Sequence, residues 1–205
     1  MSHSRSLHVS LLISLLVILW WSGYHPKDRF VWLLETLPAF VAVVALIGVY
    51  PRFRFTSLVY VLIWLHAIVL AVGGHYTYAE MPLFNWLRDA LDLGRNHYDR
   101  LGHVFQGFVP AMVAREILLR RSPLQPGKWL FFLVTSVCLA ISAFYELIEW
   151  WVAVASGSAA TAFLATQGDV WDTQWDMFLA LCGAVAAQMT LASWHDRQLA
   201  AMGIR

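Results

Sequence analysis

Charged residues and cysteines are scarce in this chain of 205 residues, and both shortages exclude classes of protein. Asp, Glu, Lys and Arg together make up only 13% of the residues, whereas soluble domains carry about 25%. The formal net charge is +1, so there is no basic excess of the kind that binds nucleic acid. Cys138 and Cys182 lie alone in separate apolar segments, which is typical of packing residues rather than of a disulfide or a metal site.

The chain also lacks the motifs of several common enzyme mechanisms. It contains neither a glycine-rich phosphate-binding loop nor a Gly-x-Ser-x-Gly turn, and these motifs mark P-loop enzymes and serine hydrolases. The Glu-x-x-His element of di-iron helical bundles is absent as well. We therefore expect neither a serine or cysteine nucleophile nor a di-iron cofactor.

Hydrophobic residues, by contrast, make up 60% of the chain. Six apolar runs are long enough to cross about 30 Å of hydrocarbon at about 1.5 Å per helical residue. They cover residues 7–23, 30–50, 55–72, 101–119, 129–155 and 170–194. The sequence therefore predicts an all-α fold, a polytopic bundle of about six transmembrane helices, forming a single integral membrane domain over residues 1–205 in contact with the lipid bilayer.

The distribution of basic residues predicts the orientation of this bundle. If both termini lie inside, nine of the 14 Lys and Arg residues lie on the inner side, and cytoplasmic loops normally carry this excess. The inner set is Arg5, Arg52, Arg54, Arg115, Arg120, Arg121, Lys128, Arg197 and Arg205. We interpret residues 7–23 as a retained first span, because no small-residue cleavage site follows Trp20 and Trp21.

The longest connection, residues 73–100, lies on the predicted outer side. Its apolar residues indicate a short amphipathic helix that either lies on the bilayer surface or covers a polar site as a lid. They are Trp86, Leu87, Ala90, Leu91 and Leu93.

A polar stretch follows this connection and enters the fourth predicted span. Asp99 and His103 are four residues apart and therefore share one helical face, with Gln106 one turn further along. Such groups are costly in hydrocarbon and usually face a bundle interior or a wet cavity. Further acids lie at the outer ends of other spans: Glu35, Glu146, Glu149, Asp169, Asp172 and Asp176. The sequence thus predicts a polar pocket near the periplasmic leaflet.

Like-charged carboxylates this close together cannot all stay ionised without compensation. Three interpretations remain open: a structural network neutralised by arginines, a site for a divalent cation, or a proton or ion relay. The arginines available are Arg88, Arg95 and Arg100. The predicted metal ligands are Asp99, His103, Glu146, Glu149, Asp172 and Asp176. Carboxylate ligands favour magnesium, manganese or calcium, and the histidine leaves zinc or iron open.

If the protein is an enzyme, we expect metal-assisted or acid/base chemistry by a hydrolase or transferase on an amphipathic substrate. The predicted catalytic residues are Asp99, His103, Glu146 and Asp176. The predicted substrate contacts are His75, Tyr76, Tyr78, Arg95, His97, Gln106, Asp169 and Gln174. The alternatives are a small ion- or proton-coupled transporter and a non-catalytic structural subunit. Arg115 and Glu116, at the inner end of the fourth span, are interpreted as snorkelling interfacial anchors.

Four motifs carry a resemblance to a known family. They begin at Gly74 (GHYTYA), Asn96 (NHYDR, followed by His103), Tyr145 (YELIEW) and Gly168 (GDVWDTQWDM). Together they resemble the YjdF-like inner-membrane family, a domain of unknown function, which implies a bacterial inner-membrane protein and no assigned activity. The second half is also weakly similar to VanZ-like membrane proteins in Asp99, His103, Glu146 and Asp176. This likeness implies a lipid-linked or amphipathic substrate of the cell envelope, although Glu149 and Ala180 depart from the amides of that pattern.

Overall fold

The computed structural model describes residues 2–157 and 161–204. In these residues the regular structure is helical throughout, with a 3₁₀ turn at Tyr78–Glu80. The α-helices are α1 (Ser2–Gly23), α2 (Arg29–Val49), α3 (Ser57–Tyr76), α4 (Pro82–Ala90), α5 (Tyr98–Arg121), α6 (Lys128–Ser156), α7 (Thr161–Leu164) and α8 (Asp172–Ala201). The predicted all-α membrane bundle is confirmed, and each of the six apolar runs corresponds to one long helix. We call the side that carries residues 77–97 the outer side and the opposite side the inner side.

Five of the six long helices, all except α5, are apolar enough to span a membrane by composition. The exception, α5, is long enough, because its 24 residues extend about 36 Å. It packs against α3, α6 and α8, so neighbouring helices shield much of its surface, and 11 of its residues are buried. The most polar span is therefore the central one.

Two glycines allow α5 and α8 to approach each other closely. A Cβ atom on Gly107 would lie 1.7 Å from the carbonyl oxygen of Ala180, and one on Gly183 would lie 2.2 Å from that of Val104. Small residues permit this kind of close crossing between membrane helices. The crossing brings the first turns of α5 and α8, which carry Asp99 and Asp172, next to each other.

The helix predicted in the outer connection is α4. None of its residues is buried, and Leu83 and Trp86 are each more than half exposed, as expected of a helix that lies in the membrane interface. Because α4 lines neither of the two cavities described below, the structure favours the interfacial helix over the lid.

Candidate functional site

His103 lies at the centre of a buried group of acids from α5, α6 and α8. Its Nε2 atom is 3.5 Å from Asp99 Oδ1 and 3.8 Å from Asp176 Oδ2. Its Nδ1 atom is 3.9 Å from Glu146 Oε1 and 3.0 Å from the side-chain oxygen of Gln106. The side chains of His103 and these three acids are each less than 8% exposed. The structure thus brings the four predicted catalytic residues together; with Glu149 they form what we call the His103 cluster.

The atoms of this cluster are spaced as the ligands of a cation would be. One oxygen each from Asp99 and Asp176 and one nitrogen of His103 lie within 4.8 Å of one another, and the same holds for His103, Glu146 and Glu149. Ligands on opposite sides of a magnesium or calcium ion are about 4 to 5 Å apart. Five of the six predicted ligands therefore lie in two groups of three that share His103, and each group is spaced closely enough to hold a cation.

The His103 cluster also leaves carboxylate oxygens unsatisfied. Oδ2 of Asp99, Oε1 of Glu146 and Oδ1 of Asp176 are buried and have no hydrogen-bond partner within the described part of the chain. A buried polar atom without a partner costs about 1–3 kcal/mol. Three such atoms in one place are the kind of arrangement that a bound cation or shared protons would satisfy.

The arginines neutralise a second, more external group of acids. Arg95 pairs with Asp172 and lies 3.5 Å from Asp169, which also pairs with Arg100 at 2.9 Å. Asp172, the sixth predicted ligand, thus belongs to this outer ion-pair layer. Arg88 instead pairs with exposed Asp89 on α4. Within the described residues, arginine pairing therefore explains the outer layer and reaches the His103 cluster only at Asp99, 3.6 Å from Arg95.

A bent segment after α7 covers the outer layer. The carbonyl oxygen of Ala165 accepts a hydrogen bond from Arg95 at 3.0 Å. Gln167 and the backbone of Asn96 exchange two hydrogen bonds of 2.9 Å. The Asn96 side chain in turn accepts a hydrogen bond of 3.0 Å from the amide of Tyr98, the first residue of α5. Since Ala165 and Gln167 both have positive φ, this cover is locally strained.

A cavity of about 590 Å³ extends from the His103 cluster along the bundle between α2, α3, α5 and α6. Its polar lining is concentrated toward the outer end: Glu35, His66, Tyr78, Asp99, His103, Gln106, Tyr145 and Glu149. Toward the inner side the lining is apolar and includes Leu46, Val113 and Ile117. The cavity is therefore graded from an acidic outer end to a hydrocarbon-like inner end.

This cavity opens sideways, toward the lipid. Val49, Ile117, Val137 and Ile141 line it and are each more than a third exposed. α2 and α6 hardly touch each other, and α7 contacts both. The gap between α2 and α6 is thus closed by α7 at its outer end and is open toward the inner side.

The predicted substrate contacts separate into two groups. Tyr78 and Gln106 line the cavity, Arg95 and Asp169 form the outer layer, and His97 lies beside Arg100. Burial, together with the positive charges of Arg100 and Arg95, lowers the pKa of His97.

The other three residues lie apart from the cavity. His75 Nδ1 is 2.9 Å from the carbonyl oxygen of Ser22, and the ring stacks on Trp21. Tyr76 packs edge-on against the same tryptophan. Gln174 is exposed on α8. These side chains join helices or face outward, so the structure does not bring them to the site.

Three polar cavity residues, Glu35, His66 and Tyr145, were not among the predicted site residues. Tyr145 precedes Glu149 by one helical turn, a spacing that places both on one face. Glu35 was expected at the same depth as the other acids, and the structure brings it to the cavity from α2. A search for polar residues one turn from each predicted ligand would have found the tyrosine.

The prediction that Arg115 and Glu116 snorkel at the inner interface is wrong. Their exposed fractions are only 4% and 0%. Glu116 accepts hydrogen bonds from the Thr56 backbone amide at 3.0 Å and from Arg120 at 2.7 Å, and its Oε2 is 2.9 Å from His195 Nε2. We call Thr56, Arg115, Glu116, Arg120 and His195 the inner network. None of their side-chain atoms is among the buried, unsatisfied polar atoms of the described residues, so this network is fully satisfied, unlike the His103 cluster.

Comparisons with known proteins agree with the membrane bundle. The profile of the family described as "Predicted membrane protein (DUF2238)" matches residues 7–197. The chain is 50% identical over 192 residues to "Inner membrane protein YjdF" of Escherichia coli (strain K12), an alignment that covers 94% of this chain and 92% of the relative. No solved structure matches the chain. The likeness to VanZ-like proteins gains no support from these comparisons.

Proposed function

The chain belongs to the DUF2238 family of multi-pass inner membrane proteins, and we propose that it is a cation-dependent hydrolase or transferase that acts on an amphipathic, lipid-type substrate. One observation carries this proposal. The His103 cluster, with its three carboxylate oxygens that have no hydrogen-bond partner in the described residues, lies at the polar end of an apolar cavity that opens toward lipid. The site therefore offers cation ligands, a titratable imidazole and a hydrocarbon-like surface in one place.

The shape of the cavity supports an amphipathic substrate. Its volume of about 590 Å³ lies within the range of about 300–1,000 Å³ usual for small-molecule sites. Its α2 wall extends from Glu35 to Val49, about 21 Å of helix, in a hydrocarbon layer about 30 Å thick. A substrate with one long hydrocarbon tail would enter between α2 and α6, and its polar group would lie beside His103.

In this proposal the acids hold the cation and His103 handles the proton. A bound divalent cation polarises a carbonyl or phosphoryl oxygen and lowers the pKa of bound water. Asp99, Glu146, Glu149 and Asp176 are the proposed ligands, and His103 either completes the ligand set or takes the proton of the attacking hydroxyl. Tyr78 presents a buried hydroxyl near Glu35 at the polar end of the cavity and is the proposed contact for the polar group of the substrate.

Two observations weigh against the alternatives. A transporter needs a polar path to the inner side, whereas the inner part of this cavity is lined by residues such as Leu46, Val113 and Ile117. A purely structural role predicts satisfied polar atoms of the kind that the inner network has. The three buried oxygens of the His103 cluster that accept no hydrogen bond in the described residues do not fit that role.

The first test is the metal content of the purified protein. Plasma mass spectrometry on protein prepared in detergent without added metal would compare the wild type with the double variant His103→Ala, Asp176→Asn. The matched control is His25→Asn, Asp89→Asn, which removes an imidazole and a carboxylate from the exposed outer surface. We expect near-stoichiometric metal in the wild type and the control and its loss in the double variant.

The second test is turnover. Protein reconstituted into vesicles of bacterial inner-membrane lipid is incubated with and without a chelator, and the lipids are then analysed by mass spectrometry. We expect a product whose formation requires both His103 and the cation. Equal metal content in all variants would overturn the cation-dependent proposal, and metal binding without any lipid product would overturn the enzymatic part.

A further inference from the structure

A second cavity, separate from the His103 cluster, lies between α1, α2 and α3 on the inner side. Its volume is about 310 Å³. α1 and α2 both pack against α3 and hardly contact each other, although Trp32 of α2 donates a hydrogen bond to Ser22 of α1 near their outer ends. The two helices therefore form a V that is open toward the inner leaflet. Val9 and Ile47, about half exposed, lie at the lipid-facing edges of this V.

Polar groups gather at the wide end of the V. Arg5 is exposed and lines the cavity, and Tyr50 and Tyr60 line it nearby. His8 is held between the Tyr50 hydroxyl, 3.1 Å away, and the Ser57 hydroxyl, 3.2 Å away. The Tyr60 hydroxyl is buried and lies next to the backbone of Phe55. The cavity thus presents a cation and a tyrosine hydroxyl at its mouth.

The charge around this mouth has one sign. Among the described residues the lining contains Arg5 and His8 and no acidic residue, and Arg54 lies near His8. The nearest buried acid, Glu116, is already occupied by the inner network. Below the mouth the walls are apolar and include Leu12, Val43 and Leu46. An anionic group attached to a hydrocarbon chain complements both parts.

We propose that the V between α1 and α2 is a binding site for one anionic phospholipid of the inner leaflet. The lipid phosphate would lie at Arg5 and the Tyr60 hydroxyl, and one acyl chain would occupy the cavity along Leu12 and Val43. Basic pockets between membrane helices on the cytoplasmic side recognise anionic head groups in this way. Because the apolar walls continue beyond the polar mouth, a phospholipid fits the cavity better than free phosphate does.

The test measures lipid binding to the purified full chain. Native mass spectrometry would titrate protein in detergent with palmitoyl-oleoyl phosphatidylglycerol or with the zwitterionic phosphatidylcholine of the same chains. One basic residue near a membrane surface contributes about 1 kcal/mol to anionic lipid binding, which is about fivefold in affinity. We therefore expect Arg5→Gln to weaken phosphatidylglycerol binding about fivefold and to leave phosphatidylcholine binding unchanged.

Two matched controls locate the site. Arg52→Gln removes a charge from an exposed residue on the same side that does not line the cavity, and it should leave binding unchanged. Val43→Trp fills the cavity, and we expect it to abolish the tight phosphatidylglycerol complex. Its control, Val44→Trp, adds the same ring at a neighbouring position that is 71% exposed and should leave the complex intact. Equal effects within either pair, or equal affinity of the wild type for the two lipids, would overturn the proposal.

Discussion

The contrast between the two polar clusters predicts opposite responses to the same chemical change. Glu116→Gln and Asp176→Asn each replace a buried carboxylate by an amide of similar shape. Glu116 receives hydrogen bonds from Thr56 and Arg120 and contacts His195. In the amide, an NH₂ group replaces one carboxylate oxygen of Glu116 and faces the donor groups that this oxygen accepted from. We therefore expect the inner network to lose all the hydrogen bonds to that oxygen.

The magnitude follows from the burial of this acid. Breaking a buried charged pair typically costs about 3–5 kcal/mol. Because the amide retains one accepting oxygen, we expect Glu116→Gln to cost about 3 kcal/mol, at the low end of that range. For a chain of this size that corresponds to a fall of about 6–12 °C in the unfolding midpoint.

Asp176→Asn should behave differently. One oxygen of Asp176 has no partner, and the other is 3.8 Å from His103 Nε2, beyond hydrogen-bond distance. The variant therefore loses little attraction and relieves repulsion within the acidic cluster. We expect its unfolding midpoint to be unchanged or higher and its metal content to be lower.

The assay is thermal unfolding in one detergent at one scan rate, because membrane proteins often unfold irreversibly and the midpoint then depends on the rate. Chelator is added to every sample, so that metal binding does not contribute to the measured stability of either variant. A fall of similar size for Asp176→Asn and Glu116→Gln would refute the reasoning, since it would mean that the His103 cluster is a structural network as well.

Two further predictions test the helix crossing and the outer rim. Gly107→Ala places a Cβ atom on a backbone oxygen of α8, so it should lower the folded yield in size-exclusion chromatography and the metal content, whereas Gly48→Ala, with nothing within 4 Å, should change neither. The His97 imidazole should titrate below its ordinary pKa of 6.5 in a nuclear magnetic resonance pH series, because burial and the cations of Arg100 and Arg95 lower its pKa. Since the unfolded chain then takes up the proton at a higher pH than the native chain, the stabilising contribution of this residue is present above pH 6.5 and is lost as the pH falls through the native pKa. A value of 6.5 or higher for His97, or equal effects of the two glycine variants, would contradict these expectations.

Local spacing explains why so much of the His103 cluster could be predicted. The separation between Asp99 and His103 places both on one helical face whatever the neighbouring helices are. Hydropathy then sets the depth of each acid along its span. By the same rule Gln174 could have been excluded from the predicted substrate contacts, because it lies about 200° around the helix from both Asp172 and Asp176. In the structure it is exposed.

The inner network could not be predicted because its partners are distant in sequence. Glu116 and His195 are 79 residues apart, and no spacing within one helix relates them. The apolar run also ends at residue 194, whereas α8 continues to Ala201. The turn that carries His195 therefore lies outside the predicted span. Because the sequence shows no partner for Arg115 within its own helix, it indicates an interfacial anchor instead.

The layer between the two clusters bears on whether ions pass through the protein. His103 and Glu116 are 13 residues apart on α5, about 20 Å along the helix. Between them Ala111 and Met112 of α5 are fully buried and apolar. Gln188 of α8, a polar residue at this level, is held by Thr135 of α6 at 3.0 Å.

A proton relay requires consecutive groups within hydrogen-bond reach, and this apolar layer offers no such sequence of groups among the described residues. The His103 cluster would then exchange protons or cations through its own end of the bundle and through the lateral opening. A site that is open to one side and to lipid is suited to chemistry on a membrane-borne substrate, whereas a carrier would need access to both sides in turn.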